Sequence, residues 1–474
     1  MCKLSPSEKA VAATATPPAV DRGWGAFGGW DSRWGVCRVR QSHGLDHGVS
    51  ETGGLKLHDI ERTELRPPAL VLDIDTEHQY GDDTLDVSGS MSAWCLIRRA
   101  GVPVAIRFLD VEGESALRLE AIRQHFAGQT LSVPVQRSAV VDATLTVIIC
   151  TRDRSDELSR ALASLTEQSD PDFTVLVVDN STHGDVARTM TDVDGLAMRC
   201  CHEPKPGLSH ARNRGLSEID SELVAWLDDD EVADPDWIFW VKQGFSSPYR
   251  PNAVVGKMFP AELPGTAPVD WERYGGHNKG RGMEPELLRA GTPTVVDPLY
   301  PRPIFGSGGN MAFRTETLRN IGGFDNRLGA GTLTRGGEDT KALSLLLEAG
   351  YSILHWPPAV TWHYHRATDQ DLATKLFGNA AGLTAYYTSM FMSSPKFVWR
   401  IVSLLPRGFK DAQSQTRQVK EDSLPAHLTS ATRRGLTQGP WLYVRETVRQ
   451  RRAYGVAKAS TRAVPSVDSS ITRP

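Results

Sequence analysis

Three consecutive carboxylates, Asp228, Asp229 and Asp230, follow the apolar run LVAWL at 223–227. A buried strand ending there releases its last residues into a crevice. Asp228 and Asp230 are two apart, so a modest bend lets both reach one divalent ion, which keeps sites open for a diphosphate. Asp229 lies between them on the same donor side. The other reading of these acids is a solvated turn ahead of the helix start at Asp234 and Pro235. A second acidic pair, Glu338 and Asp339, follows Gly336 and Gly337 and opens the helical pattern EDTKALSLLLEAG. Acids at a helix N-terminus are favoured by its dipole whether or not they do chemistry. Presented above a sheet, one of them can take the proton of an acceptor hydroxyl. In FGSGGNMAFR, Gly308 and Gly309 let backbone approach a ligand, and Asn310 offers a donor and an acceptor to sugar hydroxyls, although glycine-rich turns are common. In VTWHYHR, His363 and His365 share a face if the chain is extended. Each reads either as a metal ligand or as a partly buried structural histidine, and His363 is the candidate ligand, as imidazole suits manganese as well as zinc.

These groups need a scaffold. From Leu145 the pattern alternates LTVIIC, DELSRALASLTEQ, FTVLVVD, MRCCHE, LSHARNRGLSEI and LVAWL, strand and helix in turn. Such alternation predicts parallel strands in a doubly wound α/β sheet, whose ligands bind beyond the carboxyl ends of the strands. Thr151, Arg152 and Asp153 fall at the first such end, Asp179 and Asn180 at the second, the three aspartates at the third. Asp179 can accept from a ring imide or ribose hydroxyl, or merely cap a turn. Arg212 lies in PGLSHARNRGL, where a loop enters a helix, a natural diphosphate site. It is about one turn from Leu208 and Leu216, and so is more apt than Arg214 to point inward.

Residues 1–65 are rich in Gly, Ser and His without periodicity and read as a poorly ordered arm. Residues 66–140 read as a small α/β unit of unknown role: ALVLDID, a hairpin turning at Arg99, Ala100 and Gly101, and the helical SALRLEAIRQHFAG. Residues 145–368 carry every motif above. From 369 onward the chain reads as a basic helical region with a disordered tail. Between Lys396 and Arg462 there are 14 Lys and Arg against 4 Asp and Glu, interleaved with FVWRIVSLLPRGF and GPWLYVRETVRQRR. That composition fits peripheral contact with an anionic membrane, or a helical pair with a solvated basic face.

The net charge of −4 leaves no global positive excess for nucleic acid. Six cysteines with no CxxC pair fit reduced thiols. No apolar leader core and no uncharged stretch of bilayer length is visible, which predicts a cytosolic protein, with the basic region placed at the inner face of the plasma membrane.

Taken in order, VIICTRDR, VVDN, EPKPGLSHARNRGL, LDDDE, FGSGGNMAFR, IGGFDNRLGAGT, GGED and WHYHR resemble a bacterial family 2 glycosyltransferase with the GT-A fold. The resemblance covers 145 to about 368. It implies a Rossmann-like nucleotide-binding sheet and Mn²⁺ or Mg²⁺ held by Asp228 and Asp230. It also implies donor contacts at Thr151, Asp179 and Arg212, Asp339 as base, and inversion at the anomeric carbon by direct displacement. The expected partners are a nucleotide-sugar donor and a glycan, lipid-linked or small-molecule acceptor, in cell-envelope or polysaccharide synthesis. A non-catalytic glycan- or nucleotide-binding protein of the same fold and a sugar nucleotidyltransferase are the competing functions. The second usually carries a glycine-rich basic loop after its first strand, where this chain has TRDRSDE.

Overall fold

The computed structural model describes residues 37–38, 57–129, 131–182, 186–191, 193–278, 281–295, 297–300, 305–365, 368–404, 406 and 425–454. The arm read into residues 1–65 and the tail beyond 454 lie largely outside the described residues.

The first unit is built on β1 (Ala69–Asp75), β2 (Ser92–Arg99) and β3 (Val102–Asp110). β1 and β2 run parallel; β2 and β3 form a hairpin whose turn residues Ala100 and Gly101 have φ of 51° and 79°, the left-handed geometry that tight hairpins need. The two-residue strands Cys37–Arg38 and His58–Asp59 add to its edges. Helix α1 (Leu119–Ala127) lays Leu119, Ile122 and Phe126 onto a core shared with Leu72, Ile74, Cys95 and Ile97.

Residues 131–144 have no regular structure and lead into the second sheet. There β4 (Leu145–Thr151), α2 (Ser155–Thr166), β5 (Thr174–Asp179), β6 (Met198–His202), α3 (Leu208–Ser217) and β7 (Leu223–Trp226) alternate as the sequence predicts. β4 is apolar on both faces because both are covered. Val147 and Ile149 pack into one core with Leu158 and Leu162 of α2, and Ile148 packs into the other with Ala211 of α3.

After Trp226 the pattern changes. β8 (Glu231–Ala233), α4 (Trp237–Ser246), β9 (Ala253–Pro260), α5 (Thr266–Arg273), β10 (Met311–Arg314), α6 (Glu338–Glu348) and β11 (Ile353–His363) complete a mixed sheet ordered β6-β5-β4-β7-β10-β9-β11-β8. β10 is antiparallel to both β7 and β9, and β8 is antiparallel to β11 with Glu231 opposite His363. That register brings the end of β11 to the aspartate turn. The chain is therefore an α/β protein with a central mixed sheet.

The two units touch through Trp94 and Phe259, whose rings lie 5.2 Å apart, and through Arg98, which bonds Asp73 of its own sheet at 2.6 Å and Asp234 of the other at 2.7 Å.

Helices α7 (Asp369–Ser393) and α8 (Ala426–Tyr454) lie side by side. Gly435 packs on Phe377 and Ala381, and the Tyr443 hydroxyl reaches Ser389 at 3.1 Å, so contacts advance in step and the two helices are parallel. The other side of α7 backs the turn before α6. Gly337 has φ +91°, and a Cβ there would stand 2.5 Å from the Gly382 carbonyl oxygen. Behind the same turn, Asp325 accepts from Lys341 Nζ at 2.7 Å and from the Tyr443 hydroxyl at 3.0 Å, and the Leu333 amide donates to Glu446 at 3.2 Å. Among the described residues no helix is long and apolar enough to cross a membrane.

Candidate functional site

The crevice lies beyond the carboxyl ends of β4, β5 and β7. Its centre is Arg212, on α3 and only 1% exposed. One guanidinium nitrogen donates to Glu338 Oε1 at 3.0 Å; the other donates to Asp228 Oδ1 at 3.2 Å and to the Gly308 carbonyl at 3.0 Å. Motifs from four parts of the sequence thus meet on one side chain. Burial opposes the Arg212 charge, but Asp228 and Glu338 outweigh it and keep the guanidinium protonated.

The three aspartates are not equivalent. Asp229 turns inward, accepting from Thr151 Oγ1 at 2.8 Å and from Arg154 at 2.9 Å. It therefore ties the ends of β4 and β7 together rather than facing a donor, a departure from the sequence reading of both Thr151 and Asp229. Burial and the neighbouring Asp230 push its carboxyl up to about 6. Asp228 and Asp230 are the more open pair, with Asp230 also bonded to Arg154 at 3.1 Å. Burial lifts the Asp228 carboxyl above its ordinary range, opposed by Arg212 and reinforced by Asp230.

Glu231, which sequence reasoning passed over, sits beneath them. It is 1% exposed, and neither carboxylate oxygen makes a hydrogen bond of good geometry, the Thr361 hydroxyl being close enough only to moderate its charge. Burial and Asp228 hold it well above the usual carboxylate range. It packs so closely on Gly309 that a Cβ there would collide with its carboxylate. One oxygen each from Asp228, Asp230 and Glu231 lie within 4.8 Å of one another. An unsatisfied buried carboxylate beside two others is a donor set of the hard, oxygen-rich kind that divalent Mg²⁺ or Mn²⁺ takes, so these residues fit such an ion. The cue available in the sequence was the fourth acid of LDDDE.

His363, at the end of β11, places Nε2 3.6 Å from Asp230 Oδ1. Its Nδ1 meets His365 Nδ1 at 2.9 Å, and His365 Nε2 meets Glu272 Oε1 at 3.1 Å. Burial holds His365 below its ordinary value despite Glu272.

On the opposite side, Glu338 and Asp339 open α6. Burial and Asp339 push Glu338 up to about 7 against the pull of Arg212. A Cβ on Gly308 would lie 2.9 Å from Arg212 Nη2 and 3.3 Å from Asp339 Oδ2, so the bare backbone of Gly308 runs between them. Asp339 Oδ1 accepts from the Thr340 amide at 2.6 Å, which leaves Oδ2 on the Gly308 side.

Asp179 is buried at the end of β5 and accepts from the Ser181 amide at 2.8 Å. Arg152 is half-exposed at the rim and lies 3.6 Å from Asp153. Asn310 departs from expectation. Its amide nitrogen donates to the carbonyls of Lys257 and Ala359 at 2.8 and 2.9 Å, and its oxygen accepts from Trp237 Nε1 at 3.0 Å. Its hydrogen bonds hold β9, β11 and α4 together instead of facing a sugar. A cleft of about 410 Å³, lined among others by Arg154, Arg160, Asp230, Tyr364 and His365, opens beside Asp230.

Residues 146–248 match the family described as glycosyl transferase family 2. The chain is similar to the glucosyl-dolichyl phosphate glucuronosyltransferase of Haloferax volcanii, 27% identical over 194 residues, 39% of this chain and 57% of that protein. It is also 27% identical over 265 residues to the pre-mycofactocin glycosyltransferase of Mycobacterium tuberculosis, 54% of this chain and 50% of the relative. The chain thus spans about half the length of the curated relatives it matches. Among solved structures, a mannosyltransferase from Pyrobaculum calidifontis in complex with GDP-Man and Mn²⁺ aligns over 69% of this chain and 91% of that one, with 19% identity and a TM-score of 0.41.

Proposed function

We propose that this chain, whose residues 146–248 match the glycosyl transferase family 2 model, transfers a glycosyl group from a nucleotide-sugar donor to an acceptor hydroxyl with inversion at the anomeric carbon. The observation that carries this reading is the convergence on Arg212 of Asp228, Glu338 and the Gly308 carbonyl, with Asp339 Oδ2 beside Gly308.

Asp228, Asp230 and Glu231 would hold Mg²⁺ or Mn²⁺, with His363 as a further ligand. Such an ion supplies charge neutralisation to the departing diphosphate. Asp179 receives the nucleoside, and Arg152 at the rim adds a positive charge for the phosphates. Arg212 keeps Asp228 and Glu338 at fixed separation across the crevice. Glu338, engaged by that guanidinium, orients it. Asp339 is the base: its Oδ2 faces the space over Gly308 and Gly309, where an acceptor hydroxyl gives up its proton during single displacement.

The acceptor is lipid-linked and the protein works at an anionic membrane surface, in envelope or polysaccharide assembly. The exposed face of α8 supports this. It carries Arg433, Arg434, Arg445, Arg449, Arg451 and Arg452 around Trp441, Val444 and Val448, while Glu446, the sole acid of the helix, is buried. Cosedimentation with phosphatidylglycerol vesicles, lost on replacing Arg434, Arg445 and Arg452 by Gln, is expected. Equal retention on neutral vesicles would remove this part of the reading.

The activity itself is tested with a panel of nucleotide sugars and Mn²⁺ or Mg²⁺. Turnover of one donor, lost in Asp228→Ala and cut by at least about a hundredfold in Asp339→Asn, is the expected result. Binding of donors without turnover across a broad acceptor set would favour a non-catalytic binding protein instead.

A further inference from the structure

Glu272 lies in the last turn of α5. It is 7% exposed, and Gly276, with φ +57°, makes room for its carboxylate, since a Cβ there would come 2.5 Å from Oε1. From Glu272 a line of polar contacts runs to the aspartate turn: 3.1 Å to His365 Nε2, 2.9 Å from His365 Nδ1 to His363 Nδ1, and 3.6 Å from His363 Nε2 to Asp230 Oδ1. A carboxylate can only accept, so His365 Nε2 carries the proton. A neutral His365 then accepts at Nδ1, and His363 must donate from its own Nδ1. The lone pair of His363 is thereby set on Nε2, facing Asp230. Two acceptors 3.6 Å apart are too far for a hydrogen bond, but they match two ligand atoms each roughly 2.1 Å from one ion.

We propose that Glu272 and His365 are positioning residues that lock His363 in the Nδ1–H tautomer, aiming its Nε2 at Asp230 and so at a cation that Asp230 would hold with Asp228 and Glu231. The proposal rests on the divalent-ion reading of the crevice and adds to it the device that makes His363 a competent ligand. Outer partners of this kind fix ring orientation and tautomer, and their loss weakens metal binding by roughly 10–100-fold.

His277 packs against the same rings, 4.7 Å from His363 and stacked 6.1 Å from His365, and the three histidines alone could be taken for a metal centre. Lys375 argues against that. Its ammonium lies 2.8 Å from His277 Nε2 and donates to that nitrogen, which takes the lone pair there away from any metal and leaves a positive charge beside the cluster. The geometry favours one histidine ligand and two supports.

The test is Mn²⁺ binding to the full chain without nucleotide, followed by the electron paramagnetic resonance of free Mn²⁺, with circular dichroism to show that each variant is folded. Glu272→Ala is expected to weaken binding roughly 10–100-fold, and Glu272→Gln, which keeps an acceptor oxygen, by less. In a His363→Ala background Glu272→Ala should add nothing, because the support acts only through that ring. Electron spin-echo modulation of bound Mn²⁺ should report one histidine nitrogen. Unchanged affinity in Glu272→Ala, additive losses in the double variant, or coupling to three histidine nitrogens would each overturn the proposal while Asp228→Ala still abolished binding. If the parent bound no Mn²⁺, or bound it equally after Asp228→Ala, the crevice reading itself would fail and the relay with it.

Discussion

Two buried arginines, Arg98 and Arg212, each bridge two carboxylates contributed by separate elements, and they differ in what is left over. Arg98 bonds Asp73, Asp234 and the Gly101 carbonyl, so each of its guanidinium nitrogens has an acceptor. Arg212 has no partner at Nε, and its partner Glu338 has none at Oε2. Around Arg98 one cation meets two acids. Around Arg212 and Arg154, six acids gather: Asp228, Asp229, Asp230, Glu231, Glu338 and Asp339. The first arrangement is complete and holds two sheets together. The second carries an excess of negative charge and unsatisfied oxygens, the condition in which a bound cation and a ligand lower the energy of a fold rather than disturb it.

The sharpest break in that comparison is Asp339→Asn. Loss of the base should lower turnover by about 10²–10⁴-fold with little change in melting temperature, measured as initial rates of transfer beside thermal unfolding. Arg98→Met should do the reverse. It strands two buried acids and costs about 3–5 kcal/mol of stability, read from denaturant unfolding. A smaller effect, about 3 kcal/mol, is expected from pH in metal-free protein. Asp229 has its folded value raised from 3.8 to about 6, so the folded state binds its proton more tightly. The contribution of this group to stability is therefore fully present below about pH 4, is lost as pH rises from about 4 to about 6, and is absent above that. Asp229→Asn should flatten the slope in a series of melts, and an unchanged slope would remove Asp229 as its source. The least change belongs to the exposed pair of Arg118 with Asp82, 62% and 100% exposed, where Arg118→Ala should stay within about 0.5 kcal/mol.

The parallel half of the sheet was readable because β4 and β5 are apolar runs of strand length with an amphipathic α2 between them, and the acids at their ends could be placed by counting. The mixed half was not. β8, β10 and Glu286–Leu288 are three or four residues long and draw their stability from neighbours distant in sequence. Asn310 looked like a ligand-binding residue because its amide suits sugar hydroxyls, but it suits backbone carbonyls equally, and only the closeness of β9 and β11 decides between them. Glu231 was hidden by alternation: a strand turns every second side chain inward, and nothing local says that an inward acid lacks a partner. Glu272 acts across 91 residues to His363, a pairing that no spacing rule reaches.

The backbone contact between α7 and the turn before Glu338 has a bearing on how this protein can be divided. A boundary drawn at residue 368 leaves all the acids on one side, yet it removes the surface against which Gly337 is seated and the Tyr443 and Glu446 side chains that anchor the segment behind it. A fragment ending there would keep its chemical groups and lose the frame that aims two of them. The smallest transplantable unit accordingly runs through Tyr454, and an exchange of the C-terminal helices with those of a homologue has to carry the glycine-rich turn along with them.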